Sequence, residues 1–427
     1  MWETLRSIKS LLTSFGLLLL ANGMFGTLLG LRSKHEGFST EMIGFIMAGY
    51  SLGLLLGALF AVRVITQVGH IRSFAALASV MSVAVLGHLL WVDPLFWLVL
   101  RTIAGFCMAG MVMVTESWIN ERAGNETRGQ ILSLYMITNY LGSGGGQFLL
   151  NVAPPEDFQL FVVASIIYSL ALVPVLLTRS TGPSPVPSKR MPIRELYSIS
   201  PVGLVGTLAA GFCNSSVNNL GAVYAAESNL TVAQVSLFMA SILVGGMLLQ
   251  FPIGRLSDKF DRRTVLFSVA LITASAAWGI NWAAQGQDWL LFATAVFYGG
   301  FAFTVYPLSC AQVNDMADRE RLVQVSSGLL VAFGVGAIAG PIVSAMVMGT
   351  FGAPGLFLVV SSIWLALAGF TLLRMFVRVR GDKPKAPYLP LGSVGIAGKQ
   401  LYASIVKSVK HRGPKKTAPA DPSAKSS

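Results

Sequence analysis

Gly254-Arg255-Leu256-Ser257-Asp258-Lys259-Phe260-Asp261-Arg262-Arg263 crowds six charged side chains into ten positions, between apolar runs at 231–253 and 264–284. Gly254 permits a tight helix exit, Asp258 can accept hydrogen bonds from the exposed N–H groups of a neighbouring helix start, and the cations hold the turn in water. Each flanking run is long enough to cross a hydrocarbon layer of ~30 Å at about 1.5 Å per helical residue. The stretch therefore reads as a short polar turn between two membrane-spanning helices.

The same pattern extends in both directions. Of the 427 residues 54% are hydrophobic and 12% charged, a composition that a soluble core cannot absorb. Spans are expected at 10–31, 41–62, 73–92, 95–119, 129–151, 158–178, 200–226, 231–253, 264–284, 288–312, 322–349 and 353–377. The first of these, preceded by Arg6 and Lys9, also resembles a signal peptide, but it has no small-x-small cleavage site and a helical hairpin follows at once. The fold expected is an all-α membrane protein of twelve helices. Its 44 glycines suit helices that approach closely where no hydrophobic drive acts between them.

Charge orients the spans. Of the 31 Lys and Arg residues, all but Arg32, Lys34 and Arg101 fall on one side, which the positive-inside rule makes cytoplasmic together with both termini. That rule also accounts for the net charge of +12 without a nucleic-acid partner. The segment Ser180-Thr-Gly-Pro-Ser-Pro-Val-Pro-Ser-Lys-Arg-Met-Pro192 is a Pro-rich, partly extended connector. The chain divides into an N-terminal six-helix bundle (1–178), a cytoplasmic linker (179–199), a C-terminal six-helix bundle (200–380) and a basic, disordered tail (381–427). A shift of 194 residues lays Asn120-Glu121 on Asn314-Asp315, Gly142 on Gly336 and Gly146 on Gly340, the weak internal symmetry of a duplicated bundle.

On the Gly254–Arg263 string, position by position, the chain resembles the major facilitator superfamily. The first-half counterpart keeps Gly57, Arg63, Gly69 and Arg72 but has Ala61 where the loop Asp should stand. Arg101-Thr-Ile-Ala-Gly105 is similar to the superfamily's span-4 motif, and Glu116-Ser-Trp-Ile-Asn120 with Arg128-Gly129 resembles its YcaD-like branch. The resemblance implies two pseudo-symmetric bundles around a central cavity lined by spans 1, 4, 7 and 10, a plasma membrane, bacterial inner membrane in this case, and a monomer. It also implies that Gly254, Asp258, Arg262, Arg263 and Arg72 form a gating loop.

Several intramembrane residues are candidates for chemistry. Arg101 either faces a cavity or snorkels to the outer surface. Glu116 lies about 22 Å further along the same helix, either in a cytoplasmic charge network with Arg122 and Arg128 or as a protonatable coupling residue. Asn22, Tyr135, Asn139, Asn214, Asn218, Tyr298 and Tyr306 are substrate-cavity candidates, each of which could equally be interhelical glue. No phosphate-loop, His-Glu-x-x-His or Gly-x-Ser-x-Gly pattern occurs, so neither an enzyme nor a cofactor is expected. The four histidines are scattered and Cys107, Cys213 and Cys310 lie unpaired in apolar stretches, which suggests no metal site and no disulfide frame. The expected partners are the lipid bilayer, protons and a small neutral, weakly anionic or amphipathic organic solute. The expected function is secondary active transport by alternating access, proton-coupled through Glu116 with Arg101 tuning the field. Gly340-Pro341 resembles the antiporter-type motif of exporters, although in that motif the Gly-Pro belongs to span 5, where this chain has Gly146-Gln147, and that resemblance implies export; a facilitative uniporter and a membrane receptor or enzyme on the same fold remain open.

Overall fold

The computed structural model describes residues 2–122, 128–177, 191–318 and 321–377. Its N-terminal half contains α1 (Trp2–His35), α2 (Thr40–Val68), α3 (His70–Leu90), α4 (Pro94–Arg122), α5 (Arg128–Phe148) with a 3-10 turn at Leu149–Asn151, α6 (Gln159–Leu170) and α7 (Leu172–Leu176). A short α8 (Ile193–Ile199) leads into α9 (Pro201–Glu227), α10 (Val232–Lys259), α11 (Arg262–Ala283), α12 (Asp288–Met316), α13 (Leu322–Phe351) and α14 (Gly355–Val377). Counting α6 and α7 as one interrupted crossing, every expected span has its helix, with ends a few residues from those read off the sequence.

Ten of the crossings are long and apolar enough to span a membrane by composition alone. The two that fall short, α5 and α9, carry Asn139, Ser143, Gln147 and Asn214, Ser215, Asn218, Asn219 respectively. Their polarity has a reason that the site supplies. On the periphery, side chains such as Val83, Leu90, Trp91, Leu95 and Trp282 are exposed, the apolar belt that lipid would cover.

Local chemistry ends each helix where the chain must turn. The Ser39 side chain accepts from the Met42 N–H ahead of α2, Ser200 and Pro201 open α9, and Thr231 with Gln234 forms a capping box on α10. Gly69 and Gly352 close α2 and α13 at φ of 90° and 72°, conformations that favour glycine.

The halves repeat one packing plan. A Cβ at Gly53 would fall on the Thr102 carbonyl and one at Gly105 on that of Tyr50, so α2 and α4 meet backbone to backbone. In the second half Gly245 meets the Val296 carbonyl and Gly299 that of Ile242, which brings α10 onto α12 in the same way. Likewise Gly142 and Gly146 seat α5 on α1, as Gly336 and Gly340 seat α13 on α9. The 194-residue shift is thus a shift of packing contacts as well as of letters.

Residues 178–190 lie outside the described residues; at the end of the expected linker Ile193–Ile199 forms a short helix. Pro192 pre-sets its start, Leu196 is buried against Gly328, Met191 donates its N–H to the Gln324 carbonyl, and Glu195 pairs with Arg321 at 2.5 Å. The expected tail lies outside the described residues.

Gly105→Ala and Gly299→Ala should each destabilise the purified protein by roughly 1–3 kcal/mol, because a methyl group there meets backbone that has no rotamer to give. Gly144→Ala, whose new Cβ would touch nothing within 4 Å, should leave the melting temperature unchanged. Comparable melting points for all three in detergent would contradict this packing.

Candidate functional site

A polar cavity of about 120 Å³ lies between the halves. Asn22, Gly23, Gly26 and Thr27 of α1, Tyr50, Ser51 and Leu54 of α2, Arg101 of α4, and Ser143 and Gln147 of α5 form one wall. The other comprises Asn214, Ser215, Asn218 and Asn219 of α9, Met239 and Leu243 of α10, and Phe333, Gly334 and Ala337 of α13. Most of these positions lie some seven to eighteen residues from the helix ends that face away from the Gly254–Arg263 loop, or about 10–27 Å, which is near mid-bundle. The polar residues that lower the hydropathy of α5 and α9 are largely these lining residues.

Close approach builds the first wall. A Cβ at Gly23 would strike the Ser143 carbonyl, so α1 and α5 touch here, and Gln147 ties them by accepting from Thr27 at 2.7 Å and donating to the Gly23 carbonyl at 2.9 Å. Asn22 accepts the Tyr50 hydroxyl at 2.7 Å, which holds the Tyr50 ring upright beside Arg101.

Arg101 is 2% exposed and is the only charged residue of the lining. It does not snorkel to the surface. Its guanidinium carbon sits 4.5 Å from the Tyr50 ring centroid and 5.6 Å from that of Phe25, Nη2 points at the Met47 sulfur 3.8 Å away, and Nε has no hydrogen-bond partner. Among the described residues it forms no ion pair. An Arg at the centre of a membrane helix costs about 2.5–3.5 kcal/mol on insertion scales. Two aromatic faces return about 0.5–2 kcal/mol each. The rings can therefore offset much of the insertion penalty, but they leave Nε without a hydrogen-bond acceptor.

The second wall carries carboxamides. Asn219 donates to the Ser215 carbonyl at 2.9 Å, and Ser215 bonds the Ala337 carbonyl at 2.7 Å and the Ser51 hydroxyl of the other half at 3.0 Å. Asn214 and Asn218 line the cavity without a hydrogen bond among the described residues.

Of the residues expected from sequence, Asn22, Arg101, Asn214 and Asn218 come together here. Tyr135, Asn139, Tyr298 and Tyr306 are buried but do not line the cavity, and α12 contributes nothing to the lining. Tyr298 packs edge-on to Phe357 at 5.7 Å, and Tyr306 stands behind the wall against Phe333 at 4.8 Å. Tyr135 stacks on Phe15 and donates its hydroxyl to Glu116 at 2.8 Å, away from the cavity. Tyr50, Ser51, Ser143, Gln147, Ser215 and Asn219 were missed; a polar group inside an apolar helix was the signal available for each.

The charged loop is anchored within its own half. Arg262, its side chain 1% exposed, pairs with Asp315 of α12 at 2.6 Å and with Asp258 at 3.3 Å, and it reaches the Ser257 hydroxyl at 3.1 Å. The helix start expected to use Asp258 uses Asp261 instead, which caps α11 by accepting from the Arg263 N–H at 2.8 Å. Asp261 stands next to that start, whereas Asp258, one helical turn before Arg262, faces its guanidinium. In the first half Ala61 is fully buried and Arg72 is exposed.

Contacts joining the halves run from mid-bundle to the face opposite the charged loop. Tyr140 donates to Gln250 at 2.8 Å and packs on Phe303, Leu55 lies on Gly334, Gly44 packs under Pro341, Gly30 meets Val223, and Thr40 donates to Glu227.

Twelve helices in two like halves with a cavity between them have the architecture of a membrane solute carrier. The chain belongs to the Major Facilitator Superfamily, whose profile it matches twice, over residues 11–228 and 203–414. It is 29% identical over 384 residues to the uncharacterised MFS-type transporter YcaD of Shigella flexneri serotype 5b (strain 8401), covering 89% of this chain and 97% of that one. It is 28% identical over the same length to YcaD of Escherichia coli O6:K15:H31 (strain 536 / UPEC), with the same coverage of each chain. Among solved structures the fold is similar to the nucleoside transporter NupG, with a TM-score of 0.73 at 12% identity over 87% of this chain and 99% of that one. The human organic anion transporter MFSD10 gives a TM-score of 0.61 at 15% identity over 86% and 99%. Members of this family are transporters rather than enzymes.

Asp315→Ala should strip the nearly inaccessible Arg262 of its shorter ion pair and destabilise the protein by about 3–5 kcal/mol. Asp258→Ala, at an exposed carboxylate, should cost less than about 1 kcal/mol. Thermal unfolding in detergent that ranks Asp258 above Asp315 would show that the loop is anchored elsewhere.

Proposed function

We propose that this protein is a secondary active transporter that moves a small organic solute by alternating access through the cavity around Arg101. The observation that carries the reading is a cavity with polar groups on walls from both halves, joined by contacts from mid-bundle to one face. If the basic face is cytoplasmic, as the charge distribution argues, the structure is closed outward and its exit points inward. The charged loop and Arg72 then lie where the bundles must meet when the carrier turns over. On this reading Gly254, Asp258, Arg262 and Arg263 gate the opposite state.

Coupling is assigned to Glu116, a carboxylate 3% exposed in α4 that holds the Tyr135 hydroxyl. A proton there would weaken that acceptor, add an O–H donor beside it and so alter how α4 sits on α5. Because Glu116 stands apart from the cavity, the alternative is a uniporter in which it serves packing alone. Export is the working direction, on the Gly340-Pro341 element of α13.

Two measurements check this. With Asn218→Cys, an impermeant maleimide should label inside-out vesicles much faster than right-side-out ones; the native cysteines are buried. Equal labelling from the outer face would remove the inward-open assignment. In proteoliposomes, solute flux should follow an imposed pH gradient and Glu116→Gln should uncouple it. Flux indifferent to the gradient, with the variant fully active, establishes the uniporter.

A further inference from the structure

Arg101 is a buried cation that finds no counter-charge among the described residues. The cavity lining contains no Asp or Glu. The guanidinium lies against aromatic faces and a thioether sulfur, and its Nε is without a partner. A guanidinium presents five donors in a planar fork, a shape matched by a carboxylate that accepts two of them at once. Across the cavity Asn214 and Asn218 offer carboxamides, each a neutral donor and acceptor, and unlike Asn22 and Gln147 beside Arg101 neither has a hydrogen bond among the described residues. Between these ends the surface is Leu54, Met239, Leu243 and Phe333.

We infer that the solute is an organic monoanion. Its carboxylate, or an equivalent acid group, is gripped by Arg101 in the first half. An apolar middle lies on Phe333, Met239 and Leu243, and an uncharged hydrogen-bonding end meets Asn214 and Asn218 in the second half. This rests on the cavity being the transport site. One cation without an acid disfavours amines and polyvalent anions, and the apolar middle disfavours bare inorganic ions. The two ends divide labour between the halves: a solute that satisfies both bridges the two walls.

The test is a thermal-shift screen of the full-length protein in detergent against small monocarboxylates with aliphatic and aromatic chains. Each acid is run beside the neutral carboxamide and the amine of the same skeleton. Acids should stabilise the wild-type protein while their amides and amines do not, a comparison that needs no variant. Arg101→Gln should weaken binding of the best acid by on the order of 10- to 100-fold, with Arg101→Lys in between. Asn218→Ala should weaken hydroxylated acids more than plain ones. Amides or amines that stabilise as well as acids, acids unaffected by Arg101→Gln in a protein that still folds, or a panel in which no acid stabilises would each overturn the inference. Liposome flux separates it from the transport reading: an acid that binds but does not cross defeats transport alone, and an amide that crosses while its acid does not defeats the anion alone.

Discussion

Arg101 enters the bundle only about two turns from the start of α4, yet its guanidinium faces inward rather than toward the surface it could reach. A charge at that depth persists where neighbours compensate it, and here compensation is aromatic: Tyr50 and Phe25 cover two approaches and Asn22 pins the Tyr50 hydroxyl. That arrangement dictates much around it. Tyr50 can stand there because Gly105 lets α2 lie on α4 at its carbonyl, and Asn22 reaches it because Gly23 lets α1 lie on α5. The small residues that make the bundle compact also set the position of its one central charge.

The two halves share a packing plan and differ in chemistry. The first holds the cavity's charge. The second holds the carboxamides of Asn214 and Asn218, the ion-paired loop of Arg262 with Asp258 and Asp315, and prolines inside α10, α12 and α13. Ala61 removes the matching acid from the first half, so the pseudo-symmetry of the backbone is not matched by a symmetry of charge.

Most of the architecture was legible in the sequence because bilayer thickness imposes one length on every crossing. The site was legible in part. Arg101, Asn22, Asn214 and Asn218 are conspicuous as polar letters in apolar helices, but so are Asn139 and Tyr298, which turn toward neighbouring helices. Rotation about the helix axis separates the two outcomes, and that rotation is set by packing partners distant in sequence: Gly53 on Thr102, Gly23 on Ser143. Tyr298 finds Phe357 and Tyr306 finds Phe333 in the same way, which is why α12 adds nothing to the lining. Asp258 and Asp261, three residues apart in one loop, could not be told apart as helix cap and ion-pair partner until the start of α11 was located.

Placing the charge and the buried acid on one helix has a mechanical consequence. Arg101 and Glu116 are separated by about 22 Å of α4, too far to interact directly through the core. They are nonetheless parts of one rigid element, clamped to α2 where Gly53, Gly57 and Gly105 bring backbone onto backbone. A tilt of the α2–α4 pair therefore moves the cavity wall and the Glu116–Tyr135 contact together. A solute neutralising Arg101 and a proton neutralising Glu116 would each bias that single tilt without meeting. Coupling on this plan needs no proton path through the cavity, and the absence of a carboxylate from the lining is then no obstacle to it.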